Sequence, residues 1–380
     1  MELILKQYDI PLLRFSATND SSTPEIEVHW INEDQRHLLP LDMELSPEGI
    51  SRWMRRRTIP RNRAYVNRLL AKCGLNANRP MGILALCKGL SVDDSYWVVE
   101  EGFEGTFEKY NLFENRFSEV LALIAFTGYG SSNRSSLASS PEFTTNGMLP
   151  KCWRRISGKV TLYKGGTDGG YNTGAEPYCE YYAAQVAAAM GIDAIPYGLS
   201  QWKGRLCSTC ELFTDIDHAY MPIGNLVQKG GFDAVAAYYE NLGEPFQKAF
   251  RDMLVFDAVI CNTDRHYGNF GFMIDNKTNT IAAPAPLFDH GNSLFNQAGP
   301  EDYESPEAFQ QYIDTLVPCV YDDFFATAKR FMTDENREQL RKLLGFRFKR
   351  HVRYNLPPKR LKLMEEQVRK RVMRLLENKE

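Results

Sequence analysis

An apolar stretch of helical period, Glu244 to Val259, runs directly into the polar cluster Asn262-Thr263-Asp264-Arg265-His266, and a strand-turn-strand pattern comes next. No other feature constrains the fold as much. The strands read Phe270 to Ile274 and Ile281 to Phe288, with a turn at Asp275 to Asn279. Two short strands of this kind bring the chain back beside its starting turn, so Asp264 and Asn269 come side by side with Asp289. A carboxylate, an amide oxygen and a second carboxylate in one cleft suit Mg²⁺, which prefers hard oxygen ligands and shares them with nucleotide phosphates. The remaining carboxylate is then free to orient a hydroxyl and accept its proton, as phosphoryl transfer requires. Taken alone, Asp264 and Asn269 fit equally well as caps of a turn.

The rest of the chain is compatible with an enzyme of this size. Its 380 residues set a soft expectation of two or three domains, and 43% hydrophobic with 24% charged residues fits a soluble globular protein with a real core. A formal net charge of −3 does not by itself suggest a nucleic-acid or membrane partner. No apolar run is long enough to span a bilayer, and the start, MELILKQYDIPLLRF, lacks the basic n-region and long apolar centre of a secretory signal. The expected location is the cytoplasm. Eight cysteines are scattered among apolar residues, which suits reduced core thiols. Cys207 and Cys210 form a C-x-x-C without a second pair at zinc spacing.

Residues 1 to about 125 read as mixed, with apolar runs at Leu3-Ile4-Leu5 and Ile26-Val28-Trp30, then helix from about Pro47 to Cys73, divided at Pro60. That helical stretch carries Arg52, Arg55, Arg56, Arg57, Arg61, Arg63 and Arg68, a pattern open to a DNA-reading element or a solvated face. Thr127 to Asn146 reads as a mobile loop or linker. A strand is expected at Lys159 to Lys164, then a glycine-rich loop at Gly165 to Gly174, and a helix from Pro177 to Met190 ended by Gly191. Further strands are expected at Ala194 to Gln201 and Gly204 to Phe213. From Asp215 the pattern reads as helical, and the tail from Arg341 as a basic helix.

The motif N-x-D-R-H-x-x-N at Asn262 to Asn269, followed by F-D-x-G at Phe288 to Gly291, resembles the catalytic and metal-binding loops of HipA-type serine/threonine kinases and, more distantly, of phosphoinositide 3/4-kinases. The resemblance implies an α+β, bilobal protein-kinase-like fold with a small β-rich lobe, a larger helical lobe and an N-terminal accessory α/β region. It implies ATP and Mg²⁺ as cofactors, Asp264 as catalytic base, and Asn269 and Asp289 as magnesium ligands. The match runs from about Lys159 to Phe295, and the implied division is 1–125, 126–214 and 215–380.

Kinases also need a lysine for the ATP phosphates on a strand, with an acidic partner on a following helix. Lys164 ends the strand VTLYK, and Glu180 lies in the helix after it, in a run similar to the E-x-x-x-x-x-L-A-x-x-x-G-I pattern of the family. Lys159 and Glu176 are the alternatives. The loop expected to cover the phosphates falls at Thr144 to Lys151, with Gly147 its single glycine, a departure from a glycine-rich consensus. By position, the backbone of Glu211 and Phe213 meets the adenine. The resemblance also implies a protein substrate, self-modification at Ser139, Ser140, Thr144 or Thr145, and an antitoxin-like partner. The acceptor itself is left open, with phosphoinositides or small molecules, or a DNA-bound regulator without transfer activity, as the rival readings.

Overall fold

The computed structural model describes residues 1–18, 23–130, 140–169 and 172–377. The chain forms two compact units. The first comprises Met1–Lys164, Glu211–Met221 and Met273–Ala282; the second comprises Gly165–Cys210, Pro222–Phe272 and Ala283–Glu380. Helices and separate sheets give the expected α+β class.

The first unit begins with four antiparallel strands, β1 (Glu2–Gln7), β2 (Ile10–Ala17), β3 (Ile26–Ile31) and β4 (Tyr96–Glu100), in the order β3-β2-β1-β4. Leu3 and Leu5 of β1 alternate inward, the period-two pattern of a half-buried strand. They share a core with Phe15, Ile50, Trp53 and Met54, the last three from the helix Pro47–Arg56. Each such buried side chain contributes about 1.5–3 kcal/mol. Ser46 caps that helix by accepting the Gly49 N–H at 3.1 Å, with Pro47 in the first turn. The helical stretch does divide near Pro60, and its second piece is Val66–Lys72.

Three arginines of this stretch, Arg56, Arg57 and Arg63, are drawn inward rather than offered to a phosphate backbone. Arg56 pairs with Asp42 at 2.8 Å, and Arg57 grips both carboxylate oxygens of Asp94 at 2.7 and 2.8 Å. Arg63 is buried against Glu142 at 2.6 Å, and Arg68 donates to the Gly128 carbonyl at 2.9 Å. Arg52, Arg55, Arg61 and Arg68 stay exposed.

A second hairpin of this unit pairs Lys151–Ile156 with Lys159–Gly165, in register from Lys151 opposite Lys164 to Ile156 opposite Lys159. Its two-residue turn, Ser157-Gly158, has φ of 51° and 85°, the left-handed pair that matches strand twist. After Asp215 the chain first makes a strand, His218–Pro222, where a helical pattern was expected. A distant partner decides this: the strand lies beside Gly271–Asp275 in a three-stranded sheet, and the Tyr220 N–H also donates to the Asp93 carbonyl at 2.8 Å. Part of the segment read as a mobile linker is also ordered. Ser140, Pro141, Glu142, Phe143 and Thr144 are buried, while residues 131–139 lie outside the described residues.

In the second unit the helix Glu176–Met190 stops at Gly191, whose φ of 80° makes a left-handed cap. The next hairpin joins Gly198–Trp202 to Arg205–Glu211. It starts later than expected, because Ala194 is taken by a parallel bridge to Leu287. The helix Glu244–Ile260 is buried on every side from Met253 to Ile260, as the core helix of a larger lobe must be. Around it pack Tyr239, stacked on Phe250 at 4.8 Å, and the helix Pro358–Leu376, which buries Met364, Val368, Val372 and Leu375. The tail is therefore helical only from Pro358 on; residues 346–357 form a loop held by the side chains of Gln185 and Asn355. None of the eight cysteines is in a disulfide, Cys207 and Cys210 included. Among the described residues no helix is long and apolar enough to cross a membrane.

Candidate active centre

The centre is built on the end of the buried helix Glu244–Ile260. Cys261 caps it with a left-handed φ of 53°, and its N–H returns to the Asp257 carbonyl. The chain thus leaves the helix abruptly, and side chains rather than a ladder must hold the next turn. Asn262 does this twice: its amide nitrogen donates to the Asp257 carboxylate at 3.1 Å, and its amide oxygen accepts the Asp264 N–H at 3.1 Å. The Asp264 carbonyl then accepts the His266 N–H at 2.8 Å and the Asn269 side-chain amide at 3.2 Å. Asp264 and Asn269 are fixed to each other before any second segment arrives.

Arg265, only 1% exposed, ties this turn to the one at Phe288. Two of its nitrogens hold both oxygens of the buried Asp257 at 2.9 and 3.0 Å. Its guanidinium also donates to the carbonyls of Asn269, at 3.2 Å, and Phe288, and to His290 Nδ1, at 3.0 Å. Burial works against the guanidinium charge; Asp257 outweighs it and raises the arginine pKa above its ordinary value.

The Phe288-Asp289-His290 turn is held from the other side. Asp289 adopts a left-handed φ of 56°, and its N–H donates to the Tyr197 hydroxyl at 3.1 Å. The His290 N–H donates to the fully buried Glu180 carboxylate at 2.7 Å. Burial, with Glu180 nearby, pushes the Tyr197 pKa well up, so it remains a neutral hydroxyl. Farther along, Asn292 donates its amide to Asp264 Oδ2 at 2.8 Å, while its carbonyl accepts both the Thr263 N–H and hydroxyl at 3.1 Å. Asn296 in turn donates to the Asn292 amide oxygen at 2.9 Å.

The donor set fits magnesium. Anchoring the Asn269 amide nitrogen on the Asp264 carbonyl fixes which end of the amide is nitrogen and leaves its oxygen as the hard donor. Among the described residues no group of three or more His, Cys, Asp or Glu is arranged to hold a metal. A site with one carboxylate and one amide oxygen is the sparse kind that Mg²⁺ completes with phosphate oxygens and waters.

No protein-family model matches the chain. A curated relative, the serine/threonine-protein kinase CtkA of Helicobacter pylori (strain J99), is 27% identical over 135 residues, which is 32% of this chain and 41% of CtkA. The chain thus spans less than half the length of that relative. A crystal structure of the Helicobacter pylori proinflammatory kinase CtkA aligns with a TM-score of 0.48 at 16% identity, covering 61% of this chain and 92% of that one. The toxin–antitoxin protein HipA of Shewanella oneidensis MR-1, solved with HipB and operator DNA, aligns with a TM-score of 0.53 at 13% identity, covering 98% and 97% of the two chains. The chain has the fold of HipA.

Of the residues the sequence singled out, Asp264, Asn269, Asp289 and Glu180 fall in the second unit of this HipA-type fold, where the Arg265, His290 and Asn292 contacts link them. Lys164, Gly147 and Phe213 fall in the first, as does Glu211. Lys164 is buried, 6% exposed, at the end of its strand. The alternative lysine, Lys159, is held by Glu211 at 2.8 Å in an exposed pair, and the alternative acid, Glu176, binds Thr167 across the loop between strand and helix. Phe213 packs edge-on to Tyr220 at 5.5 Å.

The Thr144 to Lys151 segment is held from a distance. Arg63 donates to the carbonyls of Glu142, Thr145 and Lys151 at 2.8, 3.2 and 2.8 Å, and Glu142 also accepts the Trp153 N–H at 2.8 Å. Lys151 folds its ammonium back to the Asn146 carbonyl at 2.9 Å. Gly147, at φ 90°, sits so close that a Cβ would come within 2.2 Å of that ammonium. The candidate modification sites Ser140 and Thr144 are buried, and the Thr144 hydroxyl donates to the Leu90 carbonyl at 2.9 Å; Ser139 lies outside the described residues. Three residues had no place in the sequence reading: Asn292, Asp257 and Tyr197. The Asn at the second place after His290 was visible, but no pattern of residues linked it to Asp264.

Proposed function

We propose that this chain is an ATP- and magnesium-dependent serine/threonine protein kinase of HipA type, with Asp264 as its base. The strongest support is that Asn292 holds one oxygen of Asp264 while Asn269 is fixed on its backbone, within a motif carried by a kinase fold. Asp264 Oδ1 accepts the proton of a substrate Ser or Thr hydroxyl as its oxygen attacks the γ-phosphorus, and the bond to the bridging oxygen breaks to release ADP. Asn269 and Asp289 hold Mg²⁺, which neutralises charge on the transferring phosphate when bound. Lys164 orients the phosphates with Glu180 as its acidic partner. The Thr144 to Lys151 segment with Gly147 covers the phosphates, and the backbone of Glu211 and Phe213 meets the adenine. Self-modification falls on Ser139, Ser140, Thr144 or Thr145, of which the buried Ser140 and Thr144 are reached only when their segment opens. A cytoplasmic location, an antitoxin-like protein partner and a division near residues 125 and 214 complete the reading.

The test is purified protein with Mg²⁺ and γ-labelled ATP, alone and with protein extract. Label should enter Ser or Thr, and Asp264→Asn should remove it while melting as the wild type does. Equal labelling by Asp264→Asn would overturn the assignment of the base.

A further inference from the structure

Residues 341–364 carry nine Lys or Arg and no Asp or Glu, although the whole chain has 45 basic and 48 acidic residues. Five of the nine are engaged in holding the fold, among them Lys359, which donates to the Glu304 carbonyl at 3.4 Å. Arg341 pairs with Glu338, Arg347 pairs with Glu365 at 2.7 Å, Lys342 donates to the Met190 carbonyl at 3.3 Å, and Arg360 donates to the Phe295 and Asn296 carbonyls at 3.3 Å. Lys349, Arg350, Arg353 and Lys362 are exposed and form no ion pair among the described residues.

The loop that carries the first three is fixed. Gln185 accepts the Lys349 N–H at 2.8 Å and donates to its carbonyl at 3.1 Å. Asn355 accepts from the Tyr182 hydroxyl at 3.0 Å and the His351 N–H at 2.9 Å, and donates to the His351 carbonyl at 2.6 Å. His351 Nδ1 accepts the N–H groups of Arg353 and Tyr354 at 3.2 and 3.1 Å. On this frame the His351 and Tyr354 rings lie nearly parallel, 12° apart with centroids at 5.3 Å, and Tyr181 meets His351 edge-on at 5.8 Å. All three residues are partly exposed, and Val352 between them is 91% exposed.

A solvated basic face on a protein of this composition would interleave acids to relieve repulsion. Here like charges are held together in a rigid loop, beside flat ring surfaces left partly in water. Cations alone would suit any polyanion; cations around parallel, accessible rings suit one whose uncharged parts stack. We propose that the 346–357 loop, with Tyr181 and Lys362, is a docking surface for single-stranded nucleic acid. Lys349, Arg350 and Arg353 take the phosphates and the His351–Tyr354 pair takes a base.

The experiment is fluorescence anisotropy of the full chain with a labelled 15-mer of uridines, across a salt series. Binding should weaken with salt, and the triple variant Lys349→Gln/Arg350→Gln/Arg353→Gln should reduce the slope of log affinity against log salt by about 2, roughly 0.7 for each phosphate no longer neutralised. Tyr354→Leu should weaken binding about tenfold with the slope unchanged. Both variants should melt as the wild type does; if the Gln triple does not, Lys349→Met/Arg353→Met serves in its place. Absence of binding at 50 mM salt would overturn the proposal. So would an unaltered slope in the triple variant, equal affinity for duplex DNA of the same length, or full competition by poly-glutamate at equal charge. None of these outcomes depends on phosphoryl transfer.

Discussion

Each unit of the molecule holds a fully buried arginine–carboxylate pair. In the second unit Arg265 and Asp257, 1% and 0% exposed, are eight residues apart across a helix end. In the first, Arg63 and Glu142, both fully buried at the side chain, are 79 residues apart. Each arginine also satisfies backbone carbonyls: those of Asn269 and Phe288 in one case, and those of Glu142, Thr145 and Lys151 in the other. The chemistry of the two pairs is nearly the same, so their difference in reach is instructive. The near pair shapes one turn and docks a second on it, which makes it part of how the proposed base and metal ligands are aimed. The far pair closes a loop through the fold, so its contribution belongs first to the stability of the first unit.

The sharpest way to break the comparison is to remove one partner. Arg63→Ala and Arg265→Ala should each destabilise by about 3–5 kcal/mol, because a buried carboxylate is left unmatched. Replacing both partners by apolar residues should separate the pairs. Arg63→Met with Glu142→Leu should recover most of the stability and most of the phosphotransfer. Arg265→Met with Asp257→Leu should recover stability in denaturant melts, yet stay down on the order of 10²-fold in kcat, since the hydrogen bonds from Arg265 to Asn269, Phe288 and His290 are not replaced. If the second double variant regains activity with stability, the arginine is only a structural strut.

A smaller effect is expected at Asn292, which touches the proposed base without carrying charge. Asn292→Ala should lower kcat by roughly tenfold to a hundredfold while leaving the KM for ATP within about twofold, because orientation is lost rather than nucleotide contact. Asn292→Ser should recover part of it. An equal change in KM and kcat would place Asn292 in nucleotide binding instead.

The same contrast in reach explains what could be read from the sequence. The helix Glu244–Ile260, its polar end and the Asp264 and Asn269 spacing are all local, and local patterns are what periodicity and motif report. The hairpin after Asn269 was legible for the same reason. Asn292 lies 28 residues from Asp264, and nothing in its neighbourhood marks the bond between them. The arginines after Pro47 read as one basic surface, because charge on a helix gives no hint of a carboxylate such as Glu142 that the fold delivers from far away. The strand His218–Pro222 was missed because the strand it pairs with, Gly271–Asp275, lies far along the chain. The loop at 346–357 read as helix because its composition allows one; Asn355 and Gln185 impose the alternative.

The smallest expected effect concerns a third charge arrangement, in which the first unit half-buries a carboxylate without a matched cation. Asp93 is pushed up to about 6 by burial first and by neighbouring Asp94 second, with the Ser91 hydroxyl, a donor to it at 3.1 Å, opposing the shift. An unfolded aspartate titrates near 4, so between about pH 4 and pH 6 the native state keeps a proton that the unfolded state has released. Stability from this group is full below the lower value and is lost as pH rises through the upper one. Asp93→Asn keeps an acceptor for Ser91 and removes the charge. The variant should therefore melt higher than the wild type at pH 7.5, and the difference should close by pH 4.5. A difference that stays constant across that range would mean that Asp93 is already ionised in the folded protein, with Arg57 rather than burial setting its charge.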